Sequence, residues 1–181
     1  LHVLNQKKNE QRGAAYLAIN PMGKVPAIMH NGALVTEQSA VYLYLADLYP
    51  EAGISPQMGD ALRGPYLRWL AFYGSCFEPA FVDKALKREP GSPGMMPYGT
   101  VDDVWNTVTG QLAKGDYMLG SQFTALDMLW GSSLNWMTKF GAPPIRNILI
   151  NSQNQQLSLM VSTEYLVLPL VNAKSHLLSV Q

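Results

Sequence analysis

The run Asn20-Pro21-Met22-Gly23-Lys24-Val25-Pro26-Ala27 and, shortly after it, Thr36-Glu37-Gln38-Ser39 constrain this chain more than any other feature. The first run is a turn leading into Val-Pro. Proline has a fixed φ and no N–H, and an X-Pro bond adopts cis at little cost. A cis Pro26 turns the Val25 N–H and C=O outward, where an extended peptide can pair with them as an added strand does. The second run opens an amphipathic helix with Glu37 and Gln38 in its first turn. Free backbone N–H groups and the positive dipole end there hold a carboxylate, while the Glu37 carboxylate can pair with an ammonium. Taken singly, Pro26 is also explained as turn punctuation and Glu37 as a complement to the dipole. Their order and spacing together favour a clamp for a small peptide-like ligand.

The rest of the pattern frames that unit. Residues 1–4 read as a short strand, 5–13 as a polar stretch, and Ala14 to Ile19 as a short helix closed by Asn20-Pro21. Val25 to His30 and Ala33 to Val35 read as strands joined by Asn31-Gly32, a dipeptide suited to a type I′ hairpin. A helix follows from Glu37 to Leu48, with Val41, Tyr44, Leu45 and Leu48 as its apolar stripe. Pro50 and Gly53 stop it, and 51–60 reads as a linker. Beyond the linker the pattern turns helical. Pro65 suits a first helical position, Pro79 should bend or end that segment, and 89–99 is a Pro/Gly loop. Thr100-Val-Asp-Asp103 and Phe123-Thr124-Ala-Leu-Asp127-Met128 each carry capping-box chemistry, the second with a hydrophobic staple from Phe123 to Met128. The second box predicts a buried helix from about Ala125 to Thr138.

Composition narrows the partners. Apolar residues make up 48% of the 181, enough for a real core, whereas charged residues are only 14% against the roughly 25% usual in soluble proteins. Net charge is zero and no basic stretch occurs, which argues against nucleic acid or an anionic membrane as partner. Low charge suits self-association. The one cysteine, Cys76, cannot form an internal disulfide and is compatible with a reducing cytosol. It sits among Phe72, Phe77 and Leu70 with no nearby His or Lys, as a buried inert thiol does. His2, His30 and His176 are scattered, and no spacing predicts a metal site.

Further segments carry a family resemblance. Gln11-Arg-Gly-Ala-Ala-Tyr-Leu-Ala-Ile19, the Val25-Pro26 and Thr36-Glu37 motifs, Tyr42-Leu-Tyr-Leu-Ala-Asp-Leu-Tyr-Pro50, Gly64-Pro-Tyr-Leu-Arg-Trp-Leu70 and Phe123-Thr-Ala-Leu-Asp127 together resemble the bacterial glutathione S-transferases. The resemblance covers about residues 1–141. It implies an α+β chain: a partial thioredoxin-like domain over 1–50, a linker over 51–60, and an all-helical domain over 61–181. It also implies glutathione as cosubstrate, an apolar electrophilic small molecule as its partner, a homodimer and a cytoplasmic setting. By this analogy Val25 pairs with the cysteinyl backbone beside Pro26, and Glu37 and Gln38 hold the γ-glutamyl end. Gln38 stands where the family commonly has Ser. Lys24 either approaches the glycyl carboxylate or is a solvated turn lysine. Tyr66 and Tyr73, near helical spacing with Trp69, and the loop residues Met95 and Met96 are candidates for the electrophile pocket. Core or dimer contact is the alternative for that stripe and the preferred reading for Trp69.

Two expectations follow from departures. The family's opening strand and helix, which hold the Ser, Cys or Tyr that stabilises the thiolate, have no counterpart in the sequence, so no catalytic residue is named. The stretch 142–181 carries only Arg146, Glu164 and Lys174 as charges and does not look like the family, as a shifted reading frame or altered segment would not. Two rivals remain on the same fold: a non-catalytic binder of glutathione or apolar ligands, and a thiol-dependent reductase or peroxidase using Cys76.

Overall fold

The computed structural model describes residues 3–138. The readings for 142–181, and those for His2 and His176, lie outside them. In the N-terminal part, two single 3-10 turns (Gln6–Lys8 and Glu10–Arg12) lead into a four-residue helix α1 (Ala14–Leu17). A β-hairpin follows, β1 (Ala27–His30) antiparallel to β2 (Ala33–Thr36), with Ala27 opposite Thr36 and His30 opposite Ala33. Asn31 and Gly32 both have positive φ, 50° and 80°, as the two central residues of a type I′ turn require. Val3 and Leu4 form no strand. Among the described residues the sheet has two strands, and no third strand is present to pair with them.

Helix α2 (Gln38–Leu48) starts directly from β2. Its buried residues are Val41, Tyr42 and Ala46, whereas Tyr44 and Leu45 are half-buried and Leu48 is exposed. The expected stripe was rotated because α2 is covered on two sides, by the hairpin and by the helices that follow. Tyr44 faces the hairpin, where its hydroxyl meets His30 Nδ1. Pro50–Ala52 forms a 3-10 turn closed by Gly53 at φ 64°, which ends the segment as the sequence predicts.

The helical part consists of α3 (Arg63–Phe72), α4 (Glu78–Ala85), α5 (Val101–Leu112) and α6 (Ala125–Thr138). Pro79 does not end the α3 segment. A single wide π turn over Tyr73–Phe77 runs straight into α4, with the Glu78 N–H bonded to the Tyr73 carbonyl. Widening the helix just before a residue without an N–H lets the chain continue past it. The core is centred on Trp130 of α6, whose indole meets Trp69, Tyr73 and Phe77 at ring distances of 5.6, 5.5 and 4.7 Å.

Both capping motifs form, one of them differently from expectation. At α5, Thr100 Oγ1 accepts the Asp103 N–H while Asp103 accepts the Thr100 N–H, each at 3.1 Å. At α6, Asp127 accepts the Thr124 N–H at 2.7 Å, but the Asp127 N–H goes to the Thr124 carbonyl, and the Thr124 hydroxyl donates to Asp127 instead. The second carboxylate oxygen accepts the buried Met118 N–H at 2.7 Å. Asp127 therefore ties the loop before α6 to the helix start. The two parts of the chain are joined by Asp47 of α2 and Arg63 of α3, a bidentate pair at 2.6 and 2.8 Å, and by the Ala125 N–H donating to the Ile54 carbonyl.

Candidate functional site

The loop before β1 is fixed from below. Asn20, 3% exposed, donates from Nδ2 to the Lys24 carbonyl at 2.9 Å and accepts the Met22 N–H on Oδ1 at 3.1 Å. The Tyr16 hydroxyl donates to the same Lys24 carbonyl at 2.6 Å, and Arg12 Nη1 donates to the Met22 carbonyl at 2.9 Å. Gly23 is buried with φ 59°; a Cβ there would lie 2.8 Å from Arg12 Nη1 and 2.9 Å from the Gln11 carbonyl oxygen. Only glycine fits both the left-handed backbone and the space. With the Lys24 carbonyl held inward, Lys24, Val25 and Pro26 are presented at the surface.

The Val25–Pro26 bond is cis. Val25 is 42% exposed, and among the described residues its N–H and C=O have no hydrogen-bond partner. The hairpin register then sets the geometry. Ala27 lies opposite Thr36 at the open end of the hairpin, so Val25–Pro26 enters β1 and Glu37 leaves β2 at that same end.

Glu37 is the residue before α2 and has φ 66° and ψ 122°, a left-handed backbone that a side chain disfavours. No side chain caps the helix, so the N–H groups of its first turn keep their capacity to bind an anion. The Glu37 carboxylate is exposed and makes no ion pair or hydrogen bond among the described residues, whereas Gln38 and Ser39 are half-buried behind it. A strained residue at an uncapped helix start, at the same end of the hairpin as free strand-like backbone, offers donors for a carboxylate, an acceptor for an ammonium, and a pairing edge for a peptide. Lys24, Val25 and Pro26 lead into β1, and Glu37 and Gln38 follow β2, at the same end of the hairpin.

The candidate pocket residues are more dispersed. Tyr66 has no exposed surface, and its hydroxyl is enclosed without a partner. Contact with a cosubstrate would require the surrounding core to open. Tyr73 is also buried; its hydroxyl donates to Glu78 at 2.8 Å and meets Ser133 Oγ at 2.7 Å. Burial pushes the Tyr73 phenol well above its ordinary pKa. Met95 is 85% exposed on the loop before α5, and Met96 is half-buried. Cys76 is half-buried, and its thiol donates to the Pro97 carbonyl at 3.6 Å. Trp69 lies in the core. Sequence reasoning passed over Tyr16, Asn20 and Arg12, which hold the Lys24–Pro26 loop. An asparagine two residues before an N–H it can accept is a recognisable Asx turn, but the reach of Tyr16 and Arg12 depends on the fold.

Residues 2–53 match the family described as "Glutathione S-transferase, N-terminal domain". The chain is 41% identical over 150 residues to glutathione S-transferase 1 of Schizosaccharomyces pombe, covering 74% of this chain and 61% of that one. A crystal structure of a glutathione transferase from Methylococcus capsulatus superposes with a TM-score of 0.66 at 27% identity, over 83% of this chain and 77% of that one. A sphingomonad glutathione S-transferase complexed with glutathione superposes with a TM-score of 0.61 at 28% identity, over 83% of this chain and 78% of that one. The chain spans about two thirds or less of the length of the curated relatives it matches. Its mixed α/β N-terminal part followed by an all-α part has the architecture of these structures, and the sequence matches run through the Val25-Pro26 and Thr36-Glu37 motifs. Residues 2–53 thus carry the N-terminal domain of the glutathione S-transferase family, and the matches over the longer stretch support membership of that superfamily.

Proposed function

We propose that this chain supplies the peptide clamp of a glutathione transferase of bacterial type, which joins glutathione to an apolar electrophile. The single observation that carries the reading is the unpaired Val25 backbone at the same end of the hairpin as the uncapped start of α2. In this reading Val25 pairs through its N–H and C=O with the cysteinyl unit. The first turn of α2 and the Gln38 amide donate to the γ-glutamyl carboxylate, the Glu37 carboxylate holds the ammonium, and Lys24 faces the glycyl carboxylate. The clamp fixes the thiol in one position, and most of its catalytic effect is orientation. The thiolate sulfur then bonds to the electrophilic carbon as the displaced group departs with its electron pair. No residue of this chain is assigned the task of stabilising the thiolate.

In this proposal residues 1–50 are a partial thioredoxin-like glutathione-binding domain, 51–60 the linker and 61–181 the helical domain, with 142–181 as an atypical tail that lies outside the described residues. Met95 and Met96 on the loop before α5 are its electrophile-side residues, whereas Tyr66 and Tyr73, both buried, would meet an electrophile only if the core opened. A homodimer in the cytoplasm is the proposed setting, by resemblance. Calorimetric titration tests the clamp. Glutathione should bind, Cys-Gly without the γ-glutamyl unit should bind much more weakly, and Glu37→Gln should erase most of the difference. Equal affinity for both peptides refutes the reading.

A second reading, a non-catalytic binder of glutathione or apolar ligands, is favoured by one observation: Gln38 stands at the position where the family commonly has Ser. Retained glutathione binding with no conjugation of any electrophile in a panel would select it.

A further inference from the structure

We propose that residues 88–98 form a strap over the electrophile side of the candidate site, fastened at both ends by the Asp83 carboxylate and opening as one piece. The strap's place on the electrophile side rests on the proposed function; its fastening does not.

Asp83 stands in the last turn of α4. Its Oδ1 accepts Arg88 Nη1 and its Oδ2 accepts the Tyr98 hydroxyl, each at 2.7 Å. A single carboxylate thus holds both ends of the segment through charge-assisted hydrogen bonds. Between those ends there is little other attachment. Residues 88–95 are all exposed, and Pro90, Gly91, Pro93 and Gly94 lie among them. Among the described residues the hydrogen bonds of 89–95 stay within the segment, where the Ser92 carbonyl accepts the Met95 and Met96 N–H groups at 2.9 and 3.1 Å. A Cβ on Gly91 would lie 2.6 Å from Met96 Sδ, so the segment packs against itself. Its prolines restrict the backbone further, and it moves as a unit. Lys87 and Gly99, just outside the fastened residues, have φ 52° and 69°, bends at which such a unit can hinge. A segment with few buried contacts, held on one half-buried carboxylate, opens at a lower free energy than the helices unfold.

The far end of the strap closes on the π turn. The Cys76 thiol of that turn donates to the Pro97 carbonyl at 3.6 Å, and Cys76 and Tyr98 pack on the same core. Met96, half-buried, rides on the strap beside exposed Met95. Releasing either bond to Asp83 therefore uncovers the Cys76 thiol together with the surface that Met96 covers. An apolar electrophile enters by the same opening.

Cys76 is the only cysteine of the chain, so its alkylation by iodoacetamide reports the opening at one atom. The rate is read by mass spectrometry in urea below the unfolding transition. In the wild type it should be slower than in the unfolded chain and almost independent of urea, because a local opening exposes little surface. Tyr98→Phe keeps the ring and removes the bond; it should raise the rate roughly three- to tenfold, the range of one such hydrogen bond. Arg88→Ala should raise it roughly two- to threefold, since that side chain is the more exposed partner. In an Asp83→Ala background neither substitution should add anything, because both act through that carboxylate. Should Asp83→Ala fail to fold, Asp83→Asn takes its place and should itself speed alkylation.

An unchanged rate in Tyr98→Phe overturns the strap. So does a wild-type rate that climbs steeply with urea, since Cys76 is then reached by global unfolding, or effects that multiply in the Asp83→Ala background. The electrophile side is tested separately with the apolar probe anilinonaphthalene sulfonate in stopped flow. Its association rate should rise in Tyr98→Phe by the same factor as the alkylation rate, with glutathione affinity unchanged. A raised alkylation rate with unchanged probe association overturns the strap's place on the electrophile route. Failure of the wild type to bind glutathione refutes the proposed clamp and leaves the alkylation result standing, so the two failures are distinguishable.

Discussion

Replacing Gly23 by alanine separates two costs that the loop before β1 combines. Gly23 and Gly32 both have positive φ, 59° and 80°, but their surroundings differ. A Cβ on Gly32 meets nothing within 4 Å, whereas a Cβ on Gly23 lies 2.8 Å from Arg12 Nη1, 2.9 Å from the Gln11 carbonyl oxygen and 3.0 Å from Arg12 Cδ. The left-handed backbone costs an alanine about 1–2 kcal/mol, and the smaller entropy of the unfolded chain returns about 0.4–1 kcal/mol. Gly32→Ala should therefore destabilise by about 1 kcal/mol. Gly23→Ala carries the same cost, and two more. Arg12 must leave, which breaks its hydrogen bond to the Met22 carbonyl, about 1 kcal/mol, and the Gln11 backbone must shift, about 1–3 kcal/mol. The expected total is about 3–5 kcal/mol. Urea unfolding at constant m measures both variants, and glutathione titration should show lost affinity for Gly23→Ala alone, because that loop presents Lys24 to Pro26. Equal destabilisation by the two alanines would refute the packing argument and leave only the backbone term.

Three other outcomes are expected. Glu37→Gly should relieve the cost of a side chain at φ 66° and raise stability by about 1 kcal/mol, while glutathione affinity falls; Glu37→Ala, which keeps the strain, should lower affinity without stabilising, and both are read by thermal unfolding and titration. Hydrogen bonding to Arg63 holds the Asp47 carboxyl below the usual carboxylate range, so its contribution, about 1 kcal/mol, is present above the unfolded pKa near 4 and lost as pH falls through the lower folded value. The urea midpoint of wild type should drop more steeply than that of Asp47→Asn at the acid end. Asp127→Ala should cost about 3–5 kcal/mol by orphaning the buried Met118 and Thr124 N–H groups. Burial raises the Asp127 carboxyl above the usual range, so its protonation favours folding; that contribution is full below the unfolded pKa and declines as pH rises through the folded one, opposite in sign to Asp47. A pH series of denaturant midpoints on Asp127→Asn checks that sign.

The sequence by itself determined the features whose forces act within a few residues. Asn31-Gly32 dictates its turn because both residues tolerate positive φ, Pro50 and Gly53 stop α2, and α6 starts at Ala125 as its capping chemistry predicts. The Val-Pro and Thr-Glu motifs were legible for the same reason. Tertiary structure decided whatever depends on a second element. Val41 is buried as expected, but with Tyr42 and Ala46 in place of Tyr44, Leu45 and Leu48, because α2 is covered from two sides, which a one-dimensional period cannot register. Pro79 is passed by a π turn because the aromatic side chains of that rod, Tyr73 and Phe77, both reach Trp130. Tyr66 became core because the surrounding helices enclose it. The hairpin register alone brings Val25-Pro26 and Glu37 to one end of the sheet, so the geometry of the candidate site belongs to the fold.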